Sequence, residues 1–259
     1  MKIIHQIWFD FGTGQSPSES DVTVDFIART NPHYQYLLWD LKSSMKFIRE
    51  NYPEYTRFIT QETNRNIIKC DFFRYLLMLH FGGYYFDLDF ILLQNLDNFD
   101  RYRPKETEIV LTEECYNSMD VHNTLHNGFL YSKESGHMFW RRLCDEIVNR
   151  ESSVYTDVSE AEVYHLTGTK FLYQMYRSYG VAFSKVLPFF LVCTHWFTDE
   201  VSGEKCIYTR GNEKRTIHGQ NCGWTFLTLD EVSALQESLI NNHAVAICAL
   251  LPHGSLWKF

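Results

Sequence analysis

The stretch Asn64–Phe90, NRNIIKCDFFRYLLMLHFGGYYFDLDF, constrains the fold more than any other part of the chain. From Ile67 to Phe81 it is apolar nearly all round, which predicts a buried helix. Gly82-Gly83 stops that helix, because glycine tolerates the left-handed cap conformation. From Tyr84 to Phe90 the side chains alternate. Tyr84, Phe86, Leu88 and Phe90 fall on one face of a predicted strand, Tyr85, Asp87 and Asp89 on the other. Two carboxylates on one strand face lie roughly 7 Å apart, and hard divalent cations bind such oxygens. Within the helix, Asp71 and Arg74 are three apart and share a face. Charges in so apolar a helix are buried only when paired or bound to something. A structural ion pair and a ligand-binding pair both satisfy that condition.

The rest of the chain supplies a core for such a helix. Its 259 residues suffice for one large α/β domain. The formal net charge of −8 argues against a nucleic-acid partner, which needs a basic surface. Seven cysteines, an odd count with irregular spacing and no C-x-x-C, point to reduced thiols. The amino terminus lacks a signal-peptide layout, and the longest apolar runs, such as Val245–Leu251, are too short to cross a bilayer. The expectation is a soluble, cytoplasmic, single-domain chain spanning 1–259 with no transmembrane segment.

Ile3–Phe9 reads as a buried strand and Tyr34–Trp39 as a second strand. Gly12 and Gly14 lie in a turn that lacks a dinucleotide fingerprint. Helices are predicted over Ser18–Ala28, Leu41–Asn51, Pro53–Thr60 and Glu162–Tyr179, and one capped by Ser135 carries the stripe Phe139, Trp140, Leu143, Cys144, Ile147 and Val148. Further strands are predicted at Glu108–Thr112, Phe129–Ser132, Val181–Leu187, Phe189–Val192 and Ala244–Leu251. Residues 194–223 are polar and irregular, and suit an acceptor-facing or lid region. The spacing of His195, Cys206, His218 and Cys222 fits no common zinc motif.

The string Asp71, Arg74, Gly82, Gly83, Tyr85, Asp87, Asp89, in the order D-x-x-R then G-G-x-Y-x-D-x-D, resembles the signature of glycosyltransferases with the DxD sugar-binding region. That group includes yeast α-1,6-mannosyltransferases and is related to the glucosyltransferase domains of large clostridial toxins. The likeness extends to Ile4-His5-Gln6-Ile7-Trp8, to Asn31-Pro32 through Trp39-Asp40, to Asn127 with Ser135-Gly136-His137, to Thr167-Gly168, and to Ser255 and Trp257 at the end. It implies a glycosyltransferase A-type, Rossmann-like α/β fold with a mixed central sheet. It also implies a retaining, metal-dependent transferase that takes a nucleotide-sugar, UDP-sugar favoured and GDP-mannose possible, to a glycan, lipid or protein acceptor. Golgi members of the family carry a membrane anchor, and this chain departs from them.

By the same resemblance Asp89 and Asp87 hold Mn²⁺ or Mg²⁺, with His253 as a third candidate ligand. Asp71 and Arg74 grip the donor sugar. Trp8 stacks on the base, Tyr85 packs by the ribose, Asn127 contacts the sugar, and Ser255 and Trp257 close over the phosphates. Core packing for Trp8 and a turn at Asn127-Gly128 are the structural alternatives. Two other classes compete. A haloacid-dehalogenase-type phosphatase also carries D-x-D after a strand, but Phe90, Ile91 and Leu92 do not supply its following Thr or Val. A non-catalytic sugar-binding protein on the same fold is the other.

Overall fold

The computed structural model describes residues 2–9, 27–62, 64–88, 90–92, 95–102, 105–113, 124–150, 152–187, 196–198, 205–208, 214–217 and 246–248. Strands β1 (Ile3–Trp8) and β2 (Gln35–Asp40) lead into α1 (Leu41–Asn51), a 3-10 turn at Pro53–Tyr55, α2 (Thr56–Thr60) and α3 (Asn66–His80). Then come β3 (Gly83–Phe86), β4 (Phe90–Leu92), β5 (Ile109–Glu113), β6 (Leu125–Ser132), α4 (Met138–Val148), α5 (Glu160–Leu166), α6 (Thr169–Met175) and β7 (Ser184–Leu187). The short strands β8 (Trp196–Thr198), β9 (Lys205–Tyr208) and β10 (Lys214–Ile217) pair antiparallel, and β11 (Ala246–Cys248) pairs with β4.

The main sheet has six strands in the order β2-β1-β3-β6-β5-β7, the mixed α/β sheet expected from the sequence. β1 runs parallel to β2 and β3, and β5 parallel to β7, while β6 is antiparallel to both β3 and β5. The amino end of β6 therefore lies at the edge where the other five strands end. That edge gathers Trp8, Asp40, Asp87 and Asn127, and in open α/β sheets it is where ligands bind.

Helices and loops cover both faces. Tyr85, Ile109, Leu111 and Leu130 pack with α3 and with Phe47, Trp140 and Phe171 in one core. Tyr84, Phe86, Val110, Phe129 and Tyr131 pack with Ile4, Leu96 and Phe99 in the other. The alternation read in the sequence is therefore real, but both of its faces are core at Tyr84 and Tyr85.

The predicted strand Tyr84–Phe90 is in fact two. β3 stops at Phe86 although β6 runs on to Leu125: Asp87 N–H donates to Gly128 O at 2.9 Å, and beyond it the chain turns out of the sheet. Two other predicted elements also differ. Helix α4 is capped by His137, whose Nδ1 accepts from Phe139 N–H, and not by Ser135. The predicted helix Glu162–Tyr179 breaks between Leu166 and Thr169 into α5 and α6. Most of the helix Ser18–Ala28, the Gly12–Gly14 turn, the strand Phe189–Val192 and most of 194–223 lie outside the described residues.

Gly83 joins α3 to β3 in the left-handed region, at φ +80°. A Cβ there meets Ile3 Cγ2 at 2.3 Å and, more seriously, the Ile3 carbonyl oxygen at 2.6 Å. Backbone paired in a sheet cannot step aside. Gly83→Ala is expected to cost at least about 2 kcal/mol, from left-handed strain and overpacking together. Urea unfolding checks it, and an unchanged midpoint contradicts it.

Candidate functional site

The site is built on the pair the sequence placed inside α3. Arg74 Nη2 lies 3.1 Å from Asp71 Oδ1, with the two side chains only 5% and 3% exposed. The same guanidinium reaches across to the sheet edge. Its Nη1 lies 3.0 Å from Asp87 Oδ1 and donates to Asn127 O at 3.0 Å. One buried cation thus ties a helix to the end of β3 and the start of β6. Among the described residues Arg74 Nε has no acceptor, so one guanidinium donor is unspent.

Asp71 is satisfied from two further elements. Asn127 Nδ2 donates to its Oδ1 at 2.9 Å, and Thr167 Oγ1 donates to its Oδ2 at 2.8 Å. Asn127 is aimed this way at a register irregularity between β5 and β6, a usual device for redirecting a side chain. Burial pushes the Asp71 carboxyl up, opposed by Arg74 and by the donors from Thr167 and Asn127. Burial by itself lowers the Arg74 guanidinium, but Asp87, Tyr85 and Asp71 outweigh it and hold the cation firmly charged.

Asp87 meets solvent, with its side chain 27% exposed. Tyr85 OH donates to Oδ1 at 2.6 Å, and the Tyr85 ring packs 5.0 Å from Arg74 Cζ. Burial pushes the Tyr85 phenol well up, so it stays a donor. The main chain is held too, since Gln6 Nε2 donates to Asp87 O at 3.1 Å and Tyr36 OH donates to Gln6 Oε1 at 2.8 Å. Gly128 leaves room for the carboxylate: a Cβ there meets Asp87 Oδ2 at 2.5 Å.

The structure thus brings Asp71, Arg74, Tyr85, Asp87 and Asn127 together. It does not give Asp71 and Arg74 the solvent access that gripping a sugar requires; they are buried behind Asp87. Trp8 ends β1 at the same edge but is 4% exposed, so stacking on a base requires its cover to withdraw. Asp89, His253, Ser255 and Trp257 lie outside the described residues. The pairing of Cys248 with Phe90 does bring the chain leading to His253 beside the residue that follows Asp89.

Gln6, Gly128 and Thr167 join the site without any role that the sequence assigns them, although Thr167-Gly168 lies in the resembled pattern. A usable signal is Asp71 itself: a carboxylate in an apolar helix needs more donors than a single arginine supplies.

A divalent cation needs oxygen donors here, and Asp87 is an oxygen donor of the right kind for Mn²⁺ or Mg²⁺. Among the described residues no group of three or more His, Cys, Asp or Glu side chains forms a ready-made site.

Comparison with known proteins agrees on the central segment. Residues 17–108 match the family described as "Glycosyltransferase sugar-binding region containing DXD motif". Inositol phosphoceramide mannosyltransferase 2 of Schizosaccharomyces pombe is 34% identical over 97 residues, 38% of this chain and 27% of that protein. Mannosyl phosphorylinositol ceramide synthase SUR1 of Saccharomyces cerevisiae is 32% identical over 88 residues, 34% of this chain and 22% of that protein. The match thus spans about a quarter of the length of these curated relatives. Among solved structures, "PaToxG Glycosyltransferase" is 18% identical with a TM-score of 0.45, covering 69% of each chain.

These relatives overturn the cytoplasmic placement expected from the sequence. The yeast enzymes are named for a ceramide, a membrane lipid. Free thiols do not fix the compartment: Cys70 and Cys144 are both sealed in the core, and a buried thiol is inert wherever the protein resides. Among the described residues no helix is long and apolar enough to cross a membrane.

Proposed function

We propose that this chain, whose residues 17–108 carry the glycosyltransferase sugar-binding region containing the DXD motif, transfers a sugar from a nucleotide-sugar to an acceptor hydroxyl. The observation that carries the reading is Asp87. It is a carboxylate open to solvent at the carboxyl ends of the sheet, fixed by a tyrosine and by a buried arginine.

In the reaction the bond from the anomeric carbon to the diphosphate breaks, and the acceptor oxygen bonds to that carbon as its proton passes to the departing diphosphate oxygen. The leaving diphosphate and the electron-poor anomeric carbon both need charge placed beforehand. Asp87 and Asp89 are the residues to hold a divalent ion, with His253 as a further candidate, and that ion when bound acts as a Lewis acid on the diphosphate. Tyr85 and Arg74 hold the Asp87 carboxylate to one orientation. Asn127, whose amide is pinned by Asp71, offers the donor sugar a fixed polar edge. Ser255 and Trp257 are assigned to the phosphates and Trp8 to the base. We read the transfer as retaining, with the acceptor attacking on the leaving-group side, and 1–259 as one catalytic domain. UDP remains the favoured base. GDP-mannose stays possible, and the relatives' names, which speak of mannosyl transfer and of a ceramide, make a lipid the first acceptor to try.

The test is nucleoside diphosphate release from a panel of UDP- and GDP-sugars, with Mn²⁺ or Mg²⁺ and with chelator. Release from at least one donor that stops in chelator is expected. No release from any donor with either metal sinks the reading, and metal-independent release sinks the metal assignment.

A further inference from the structure

We infer that Thr167 is a positioning residue for sugar transfer, acting on the sheet edge through Asp71. The inference rests on the glycosyltransferase reading and extends it to a residue outside the matched segment 17–108.

Thr167 is fully buried in the break between α5 and α6. Its backbone is fixed independently of its hydroxyl. The N–H donates to Val163 O at 3.0 Å, and the carbonyl accepts from Tyr75 OH at 2.8 Å. The next residue is clamped as well: Gly168 N–H donates to Val163 O at 2.9 Å, and a Cβ on Gly168 meets Tyr164 Cα at 3.1 Å. The hydroxyl therefore sits at a set point, aimed at Asp71 Oδ2.

A carboxylate has two oxygens, and fixing one fixes the rotation of both. With Oδ2 held by Thr167, Oδ1 is presented to Arg74 Nη2 and to Asn127 Nδ2 together. Those two residues are the ones that meet the edge. Arg74 passes the constraint to Asp87, and Asn127 lies beside it on β6. Without the hydroxyl, Asp71 is held only through Oδ1 by Arg74 and Asn127, the two residues it positions, and the anchor from outside that pair is lost. Misplacement on that scale is felt in catalysis more than in binding, because only the transition state needs all the groups aligned.

The test uses the full chain and steady-state kinetics with the member of the UDP- and GDP-sugar panel from which wild type releases nucleoside diphosphate fastest. Thr167→Val keeps the shape and removes the donor; Thr167→Ser keeps the donor and removes a methyl. Expected for Thr167→Val is a kcat lower by at least about tenfold, the loss of one hydrogen bond to a charged group. Its donor KM is expected to stay within roughly threefold. Thr167→Ser is expected to restore kcat to within about twofold of wild type. If Thr167→Val does not fold, Thr167→Cys replaces it, since a thiol is of similar size and donates weakly; its kcat is then expected to lie well below that of Thr167→Ser.

A donor-less variant that melts lower but turns over normally shows a purely structural hydroxyl and overturns the inference. A loss that Ser does not restore overturns it too. A wild-type protein inactive on every donor is a different failure. It removes the glycosyltransferase reading, and the inference with it.

Discussion

Asp87→Asn is expected to lower the rate of sugar transfer at least about a hundredfold, the scale of removing one charged group from a preorganised site. Folding is expected to survive. Asparagine has the same outline, which matters because Gly128 leaves no spare room beside Oδ2. Its amide oxygen can still accept from Tyr85 OH and Arg74 Nη1. Arg74 stays paired with Asp71, so no buried cation is stranded. The side chain is partly exposed, and the stability change is expected to be on the order of 1 kcal/mol or less. What is lost is the negative charge facing solvent at the strand ends. Melting curves and transfer rates measured side by side check the expectation. A variant with near wild-type turnover removes Asp87 from the chemistry.

The local halves of this arrangement were legible in the sequence, and the tertiary halves were not. An all-round apolar run ended by two glycines admits little but a buried helix, and α3 follows the reading within one residue at each end. Asp71 and Arg74 face one another because helical geometry leaves them no choice. Leu88 and Phe90 continue the alternation, but the chain leaves the sheet after Asp87 while β6 runs on to Leu125, and no period reveals that departure. The helix expected over Glu162–Tyr179 shows the same limit. Its pattern was continuous, but Thr167 leaves helical geometry at φ −141° and its hydroxyl serves Asp71, 96 residues earlier. Partnership at that separation is written in no local pattern. Trp8 was ambiguous for a related reason: a tryptophan ending a central strand is apolar enough for core and placed well enough for a ligand.

Arg74 separates scaffold from site most sharply, because one side chain serves both. Arg74→Met leaves Asp71 buried without its cation and is expected to destabilise the fold by about 3–5 kcal/mol. That cost is expected to depend on pH with a definite sign. Burial already raises the Asp71 carboxyl, and losing Arg74 raises it further. A carboxyl whose folded pKa lies above its unfolded one binds its proton more readily when folded. Stability therefore falls as pH rises from the ordinary carboxylate range through the raised value, and above it the full penalty applies. Arg74→Met should accordingly be more stable in mild acid than at neutral pH. Arg74→Lys keeps the charge, so Asp71 is not stranded, and it is expected to melt much nearer wild type. It cannot keep the geometry. Arg74 spends Nη1 on Asp87 and Asn127 O and Nη2 on Asp71. A single ammonium cannot span acceptors held that far apart with the planar fork removed. Transfer by Arg74→Lys is therefore expected to fall at least about a hundredfold although the protein is folded. Normal turnover by folded Arg74→Lys means that any buried cation suffices, and that Arg74 holds the fold together without shaping the site.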